Sequence, residues 1–474
     1  MKILFAASEA GPFIRTGGLG DVAAALPKAI KELGHDIRVI IPYYKEEISP
    51  AFQSTMAFVG ATFVELAWRK QYAGVFEASY DGVKYYFIDN EYYFKRKKLY
   101  GHFDDGERFA FFSKAVLECL DIIDFIPDII HANDWQTGLI PVFLDVFYRY
   151  TKERQNIKTV FTIHNIEFQG KYSPAIIGDI LGLHFGAEML VYYDGCANYM
   201  KGGIESAARV TTVSPTYADE LLDPFYSFGL DGILRDRKLK ISGVINGIDT
   251  KLYNPATDKS LFKNYSVKTI KDKEENKKGL LSMIDLPYSP EKPLIGMVSR
   301  LTEQKGMDLI GAVIEQILSA NLQFVVLGTG DWKYEMMLKN IESRYPTKFK
   351  AIIGFSQDIA SKIYAGSDMF LMPSKFEPCG LSQMIAMRYG SIPIVRETGG
   401  LKDSVPPFIA HEKTGTGFTF KTYNAYDMLD AVWRALGTYF DADAWKQVVV
   451  NAMSADFSWA ESAKKYEEIY KGIN

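Results

Sequence analysis

Cysteine and histidine are both scarce in this chain, with three cysteines (Cys119, Cys196, Cys379) and six histidines among 474 residues. The cysteines are odd in number, far apart and without a CxxC pair, which excludes a disulfide framework and a zinc ribbon. An apolar run of about 18 residues is also missing, so no segment is a candidate to span a bilayer. The amino terminus does not read as a signal peptide, because Glu9 interrupts the short apolar run from Ile3 to Ala7. Nor is there an excess of one charge: 54 Lys and Arg oppose 58 Asp and Glu, a net of −4. Proteins that coat nucleic acid or anionic membranes bind through a basic surplus, and neither partner is expected here. The chain lacks GxxxxGK[ST] and GxGxxG, which argues against P-loop and dinucleotide oxidoreductase chemistry. No metal-ligand spacing occurs either, and the first half carries no DxD in its loops. Asp104-Asp105 and Asp441-Ala-Asp443 read as solvated turns. No metal and no cofactor is expected.

What is present is an ordinary globular composition, 47% apolar and 24% charged, long enough for two or three domains of about 150 residues. Aromatics stand out at 14%, with 29 Tyr and 31 Phe. Their faces suit sugar-binding clefts, but a large core uses them as readily, and core packing is the plainer reading.

The order of elements predicts an α/β fold. A short β-branched run at Lys2–Ser8 leads through the glycine-containing loop Arg15-Thr-Gly-Gly18 into an amphipathic stretch, Leu19 to Leu33. Gly34 stops that helix, and Asp36 to Pro42 reads as the next strand. Strand, helix and strand in succession make a βαβ unit and hence a parallel sheet. Further strands are expected at Tyr85–Ile88, Asp128–His131, Thr159–Ile163 and Arg209–Val213. Near Asn246 the rhythm breaks, and the lysine-rich stretch Thr257–Gly279 reads as a solvated loop or exposed helix. The alternation then resumes with strands at Leu294–Arg300, Gln323–Gly328, Ala351–Gly354, Met369–Pro373 and Ile392–Arg396. Thr16-Gly-Gly-Leu-Gly-Asp21 is echoed by Thr398-Gly-Gly-Leu-Lys-Asp403. The reading is two doubly wound parallel-sheet domains, residues 1–245 and 246–457, with a helical tail at 458–474. Ligands of open parallel sheets sit beyond the carboxyl ends of the strands. Two such domains place the expected active site in the cleft between them.

Several polar groups fall at those strand ends. Arg15, Gly18 and Asp21 lie where a loop opens a helix, whose free N–H groups favour phosphate oxygens; the bland alternative is a tight turn. Asp134-Trp135 and His164-Asn165 each follow an apolar strand directly, whereas His131 reads as structural. Arg300 ends a strand and Lys305 follows across a short loop. Both can converge on a diphosphate, unless they form a surface ion pair with Glu303. Glu377-Pro-Cys-Gly-Leu-Ser382 also follows a strand and opens a helix. A carboxylate beside two cations and a helix start can manage a developing sugar cation and a departing diphosphate, a role that metal ions fill elsewhere.

Seven motifs in order carry a family resemblance over essentially the whole chain. They are Arg15-Thr-Gly-Gly-Leu-Gly-Asp-Val22, His131-Ala-Asn-Asp-Trp-Gln136, Thr162-Ile-His-Asn165, Asn246-Gly-Ile-Asp249, Ser299-Arg-Leu-Thr-Glu-Gln-Lys-Gly306, Glu377-Pro-Cys-Gly-Leu381 and Thr398-Gly-Gly-Leu401. Together they resemble the bacterial glycogen synthases and plant-type starch synthases. That resemblance implies the two-Rossmann GT-B fold, with the last helix crossing back to the first domain. It also implies metal-independent transfer of glucose, with retention, from ADP-glucose to the non-reducing end of an α-1,4-glucan.

By resemblance, Glu377, Arg300, Lys305 and His164 are the catalytic group. Arg15, Gly18, Asp21, Asn165, Asn246, Phe355, Cys379, Gly380, Leu381, Ser382 and Thr398 bind the donor, with Phe355 stacking on the base. Asp134, Trp135, Gln136 and Tyr100 contact the acceptor, the indole stacking on a sugar face. Two departures stand out: Arg15 replaces the family's usual Lys, which changes hydrogen-bond geometry at the same charge, and Ser382 stands where Thr is frequent. The expected location is the cytoplasm, or the stroma of a plastid. Three alternatives remain at this level. One is another retaining GT-B transferase using UDP-glucose or a different nucleotide sugar. The others are a phosphorylase, for which no cofactor lysine is seen, and a glucan-binding homologue without turnover.

Overall fold

The computed structural model describes residues 1–473, which divide into two compact units. The first is Met1–Val244 together with the residues from Trp459 on; the second is Ile245–Ser458. Among the described residues no helix is long and apolar enough to cross a membrane.

The first unit is built on β1 (Lys2–Ala6), β2 (Asp36–Pro42), β3 (Ala57–Leu66), β4 (Arg69–Tyr80), β5 (Val83–Asp89), β6 (Ile129–Asn133) and β7 (Lys158–Ile163). A small sheet of β8 (Lys171–Tyr172), β9 (Tyr192–Tyr193) and β10 (Cys196–Asn198) follows, and β11 (Arg209–Thr212) and β12 (Ile241–Gly243) complete the main sheet. Its order is β12-β11-β7-β6-β1-β2-β5-β4-β3. Pairing is parallel from β12 through to β5 and antiparallel in β5-β4-β3. Ile3, Leu4, Phe5 and Ala6 are all fully buried, as expected of a central parallel strand covered on both faces. Helix Gly18–Glu32 buries Leu19, Val22, Ala23, Leu26 and Ile30 on one side, and Gly34 (φ +90°) follows its end.

The sequence pattern predicts no strand between Pro42 and Tyr85, yet β3 and β4 lie there. They form the sheet's outer edge, with a bulge between Phe58 and Gly60, and bury only scattered positions such as Val64, Leu66, Ala73 and Val75. A half-exposed edge pair carries too weak an apolar alternation to stand out in sequence.

Aromatic rings supply much of this core: Phe13 packs against Phe52, Tyr85 and Phe87 at centroid distances of 5.0, 5.0 and 4.9 Å. Helix Trp459–Lys471 belongs to the same unit and packs on helix Gly18–Glu32. Its Tyr466 and Tyr470 are fully buried, and the Tyr470 hydroxyl lies 2.8 Å from His131 Nδ1.

The second unit is a six-stranded parallel sheet of β13 (Leu294–Val298), β14 (Gln323–Gly328), β15 (Phe349–Ile353), β16 (Met369–Met372), β17 (Ile392–Arg396) and β18 (Phe418–Phe420). The spatial order is β15-β14-β13-β16-β17-β18, so strand order reverses direction between β13 and β16. In the first unit the same reversal lies between β1 and β6.

The lysine-rich stretch corrects a sequence expectation. Part of it is helix Lys273–Met283, and Lys277 is almost fully buried against the Asp368 carboxylate at 2.8 Å. Asp368 also accepts the Leu294 N–H at 2.7 Å, tying this helix to the starts of β13 and β16. Charge density in sequence signals solvent only where no buried counter-charge waits in the fold.

Candidate active site

Both reversals carry polar side chains at the carboxyl ends of their strands, and each unit is described in turn. In the first unit, Glu9 stands three residues beyond the end of β1 and is only 2% exposed. Its carboxylate accepts the Thr16 N–H and hydroxyl at 2.7 and 2.6 Å and the Gly20 N–H at 3.2 Å. Burial pushes its pKa up, and these hydrogen bonds pull against that shift. The amides around the start of helix Gly18–Glu32 are thus partly taken by the chain's own carboxylate. At the rim, Arg15 and Asp21 pair with each other at 2.7 Å and stay largely exposed. A Cβ on Gly18 would meet no protein atom, so packing within the chain does not explain that glycine.

Beyond β6, Asp134 adopts φ +56°, a left-handed conformation that costs a non-glycine residue some strain. Its Oδ1 accepts the N–H of His164 at 2.8 Å and of Asn165 at 3.4 Å, so the carboxylate clamps the loop that follows β7. Desolvation raises Asp134 to about 7 against the pull of those two amides. His164 Nε2 lies 2.9 Å from Asn133 Oδ1, while Asn133 Nδ2 donates to the carbonyls of Ala6 and His131. Because those carbonyls fix the amide, His164 must donate from Nε2, and its Nδ1 is left as a bare acceptor. Burial lowers His164 to about 3, so the ring is neutral. Asn165 Oδ1 accepts the Glu167 N–H at 3.0 Å. The Tyr100 hydroxyl lies 2.8 Å from Ser8 Oγ, and burial raises its pKa well above the ordinary value.

Trp135 departs from the expectation of an open stacking face. It is 8% exposed and packed among Phe109, Tyr172 and Tyr199 at 5.1–6.4 Å. A strand-end tryptophan with aromatic neighbours gains more from burial than from an open face. Gln136 is buried as well, and its Oε1 has no hydrogen-bond partner.

In the second unit, Lys305 Nζ lies 2.5 Å from Glu377 Oε2, and Ser374 Oγ donates to the same oxygen at 3.0 Å. Glu303 is held instead by Lys375 at 3.0 Å, so the surface-pair alternative for Lys305 is not what forms. Arg300 is exposed, and among the described residues its guanidinium has no partner. Gly306 (φ +79°) lets the Lys305 turn pass close to β16, since a Cβ there would overlap the Pro373 carbonyl oxygen.

The second Thr-Gly-Gly copy packs closely on the segment that carries Glu377. Gly399 (φ +42°) and Gly400 pack on the backbone of Glu377, Pro378 and Cys379, the Gly400 N–H lies 3.2 Å from both the Glu377 and Pro378 carbonyls, and Thr398 is fully buried.

Cys379 is buried, which raises its thiol to about 12, and the backbone N–H of Asn246 hydrogen-bonds it. Asn246 is 7% exposed, and its Oδ1 is buried without a partner. Ser382 bonds the Tyr364 phenol and opens helix Ser382–Arg388 after the partly exposed Gly380 and Leu381. Phe355, beyond β15, is 86% exposed.

Sequence reasoning missed four residues that hold these groups. Glu9, Asn133 and Ser374 follow or end their strands, a signal that was open to reading. Gln383 was not legible: its amide donates to the carbonyls of Cys379 and Gly380 and to Ser404 Oγ at 2.9–3.1 Å, across the fold.

Residues 2–236 match the family model described as the starch synthase catalytic domain, and residues 284–447 match glycosyl transferases group 1. A glycogen synthase of Clostridium novyi is 50% identical over 478 residues, covering 100% of this chain and 99% of that protein. One from Anoxybacillus flavithermus is 49% identical over 473 residues, covering 99% and 97%. Among solved structures, the catalytic domain of starch synthase IV from Arabidopsis thaliana, bound to ADP and acarbose, superposes with a TM-score of 0.89. It is 35% identical, covering 100% of this chain and 99% of its own. A sucrose-phosphate synthase from Thermosynechococcus elongatus, 15% identical with a TM-score of 0.61 and covering 100% and 98%, shares the fold.

Proposed function

Because the chain belongs to the glycogen and starch synthase family of glycosyltransferases, we propose that it moves glucose from ADP-glucose to the 4-hydroxyl at the non-reducing end of an α-1,4-glucan, with retention. The observation that carries this reading is the pairing of Lys305 with Glu377 where the strand order reverses, with the unpartnered Arg300 at the end of the neighbouring strand. ADP and acarbose bound to a relative of the same fold support an adenine nucleotide as donor and a glucan as acceptor.

In the proposed reaction the donor C1–O bond breaks and the diphosphate leaves with the electron pair. Arg300, as a fork, and Lys305, as a point charge, neutralise it. Glu377 faces the ring as positive charge builds on C1. The acceptor O4 forms the new bond on the face the diphosphate leaves, and its proton passes to a departing phosphate oxygen. No metal is needed for these steps. The bare Nδ1 of His164 and the amide of Asn165 take glucosyl hydroxyls, and the orphaned Asn246 Oδ1 accepts another. Phe355 offers an open face to the base.

The test is incubation with radiolabelled ADP-glucose or UDP-glucose and glycogen, run side by side, following label into polymer. Label from ADP-glucose in α-1,4 linkage is the expected result. Incorporation from UDP-glucose alone, or none from either, overturns the proposal.

A further inference from the structure

A cavity of about 390 Å³ opens in the Ile245–Ser458 unit at the opposite end of its sheet from Arg300 and Glu377. Asp368, in its lining, directly precedes β16 and binds the amide that starts β13. Arg300 and Glu377 come after the carboxyl ends of those two strands. At about 3.3 Å per residue, the five residues of β13 put roughly 16 Å between the two ends.

The cavity is lined by both cationic and aromatic side chains. Lys271, Lys273, Lys277 and Lys446 line it against two acids, Glu274 and Asp368, leaving an excess of two positive charges. Asp368 is engaged by Lys277 at 2.8 Å, and Glu274 accepts the Tyr288 hydroxyl at 2.5 Å. Lys273 donates to the carbonyls of Tyr364 and Ala365 in the last turn of helix Gln357–Gly366, where the helix dipole favours a cation. Those bonds use two of its three protons, and among the described residues no carboxylate pairs with it. Lys271 and Lys446 are exposed at the rim, likewise without a carboxylate. In the same lining the Trp445 and Tyr439 rings meet at 5.1 Å, and Lys277 Nζ lies 5.8 Å from the Tyr439 ring centroid.

Desolvation and the neighbouring Lys277 lower Lys273 to about 7, against the partial pull of Asp368 and Glu274. An anion bound beside Lys273 would favour its protonated form. With Lys273 protonated the surplus of two matches a dianion, and lysine is a point-charge ligand for phosphate. We propose that this cavity binds a small ring-bearing phosphate monoester, its phosphate on Lys273 and Lys446 and its ring against Trp445.

The test is calorimetric titration of the full chain with phenyl phosphate, with phenol and inorganic phosphate as part-ligands. Saturable binding of phenyl phosphate with a Kd at or below about 1 mM, tighter than either part-ligand, is expected. Lys273→Met and Lys446→Met should each weaken it by about ten- to a hundredfold, the scale of one charged hydrogen bond, with ADP binding unchanged. Lys446 is exposed, so its variant stays decisive if Lys273→Met fails to fold. The proposal is overturned by absence of saturation, by phenol binding as tightly as phenyl phosphate, by an unaffected Lys446→Met, or by competition between phenyl phosphate and ADP.

Discussion

The ammonium of Lys305 and the carboxylate of Glu377 sit 2.5 Å apart, both largely withdrawn from solvent, at the end of strands that adjoin where the sheet order reverses. Arg300, after the neighbouring strand, has no such partner. The two cations therefore differ in what they do for the fold, and this separates their variants. Arg300→Ala should leave stability within about 0.5 kcal/mol and lower kcat by about 10²- to 10³-fold. Lys305→Ala should lose comparable turnover and also about 1–3 kcal/mol, because Glu377 is left without its charged partner. Steady-state kinetics and thermal melts on both variants check this, and near-normal turnover in either removes its assigned role.

Glu377→Ala should show the largest loss of turnover of any single change in this group. Steady-state rates compared with the surface control Lys259→Ala provide the check. A rate near that control means the site is misplaced.

Asn133 should act on the proposed reaction through His164, whose Nε2 lies 2.9 Å from its Oδ1. Its amide is oriented by the Ala6 and His131 carbonyls, which makes Nε2 the protonated nitrogen of the His164 ring. Asn133→Ala should shift His164 toward a mixture of tautomers, visible in its ring ¹⁵N shifts, and reduce kcat more than the donor KM. Unchanged shifts would show that another contact sets the tautomer.

Acid stability should report on His131. Burial lowers it to about 3, and its ring nitrogens lie 2.6 Å from Thr162 Oγ1 and 2.8 Å from the Tyr470 hydroxyl. A histidine with a depressed folded pKa contributes stability above its unfolded value near 6.5 and loses it as pH falls toward the folded value. His131 should therefore contribute a loss of stability as pH falls between about 6.5 and 3, and His131→Gln should remove that contribution in urea melts. Identical slopes would place the acid sensitivity elsewhere. Asp134 works in the opposite sense: raised to about 7, it removes stability as pH climbs from near 4 through 7.

Trp135 should behave as a core residue. Trp135→Ala is expected to cost about 3–5 kcal/mol, whereas Trp135→Phe should leave the KM for glycogen within about twofold, since it makes no exposed stacking face. A large KM change in a fully folded Trp135→Phe would restore the indole to the acceptor.

The alternation of strands and helices was legible because it is written in short-range periodicity: β1, β2 and β13 to β17 each carry a compact apolar run. The edge pair β3-β4 was not, because half of each strand faces solvent. Polar residues at strand ends could be picked out one at a time, but their partners could not. Nothing near position 9 says that its carboxylate will occupy the amides of Thr16 and Gly20, and nothing near position 135 says that three aromatic rings will enclose the indole.

By itself, then, the chain's order of residues settled its architecture and its family, since backbone periodicity and contiguous motifs depend on neighbours along the chain. Tertiary structure alone decided that Arg300 and Glu377 end adjacent strands, that Lys305 pairs with Glu377 rather than Glu303, and that Lys277 is buried against Asp368. Those outcomes depend on which crossover places which strand beside which, and on charges meeting through space at low solvent exposure, where a counter-charge a few ångströms away outweighs any neighbour in sequence.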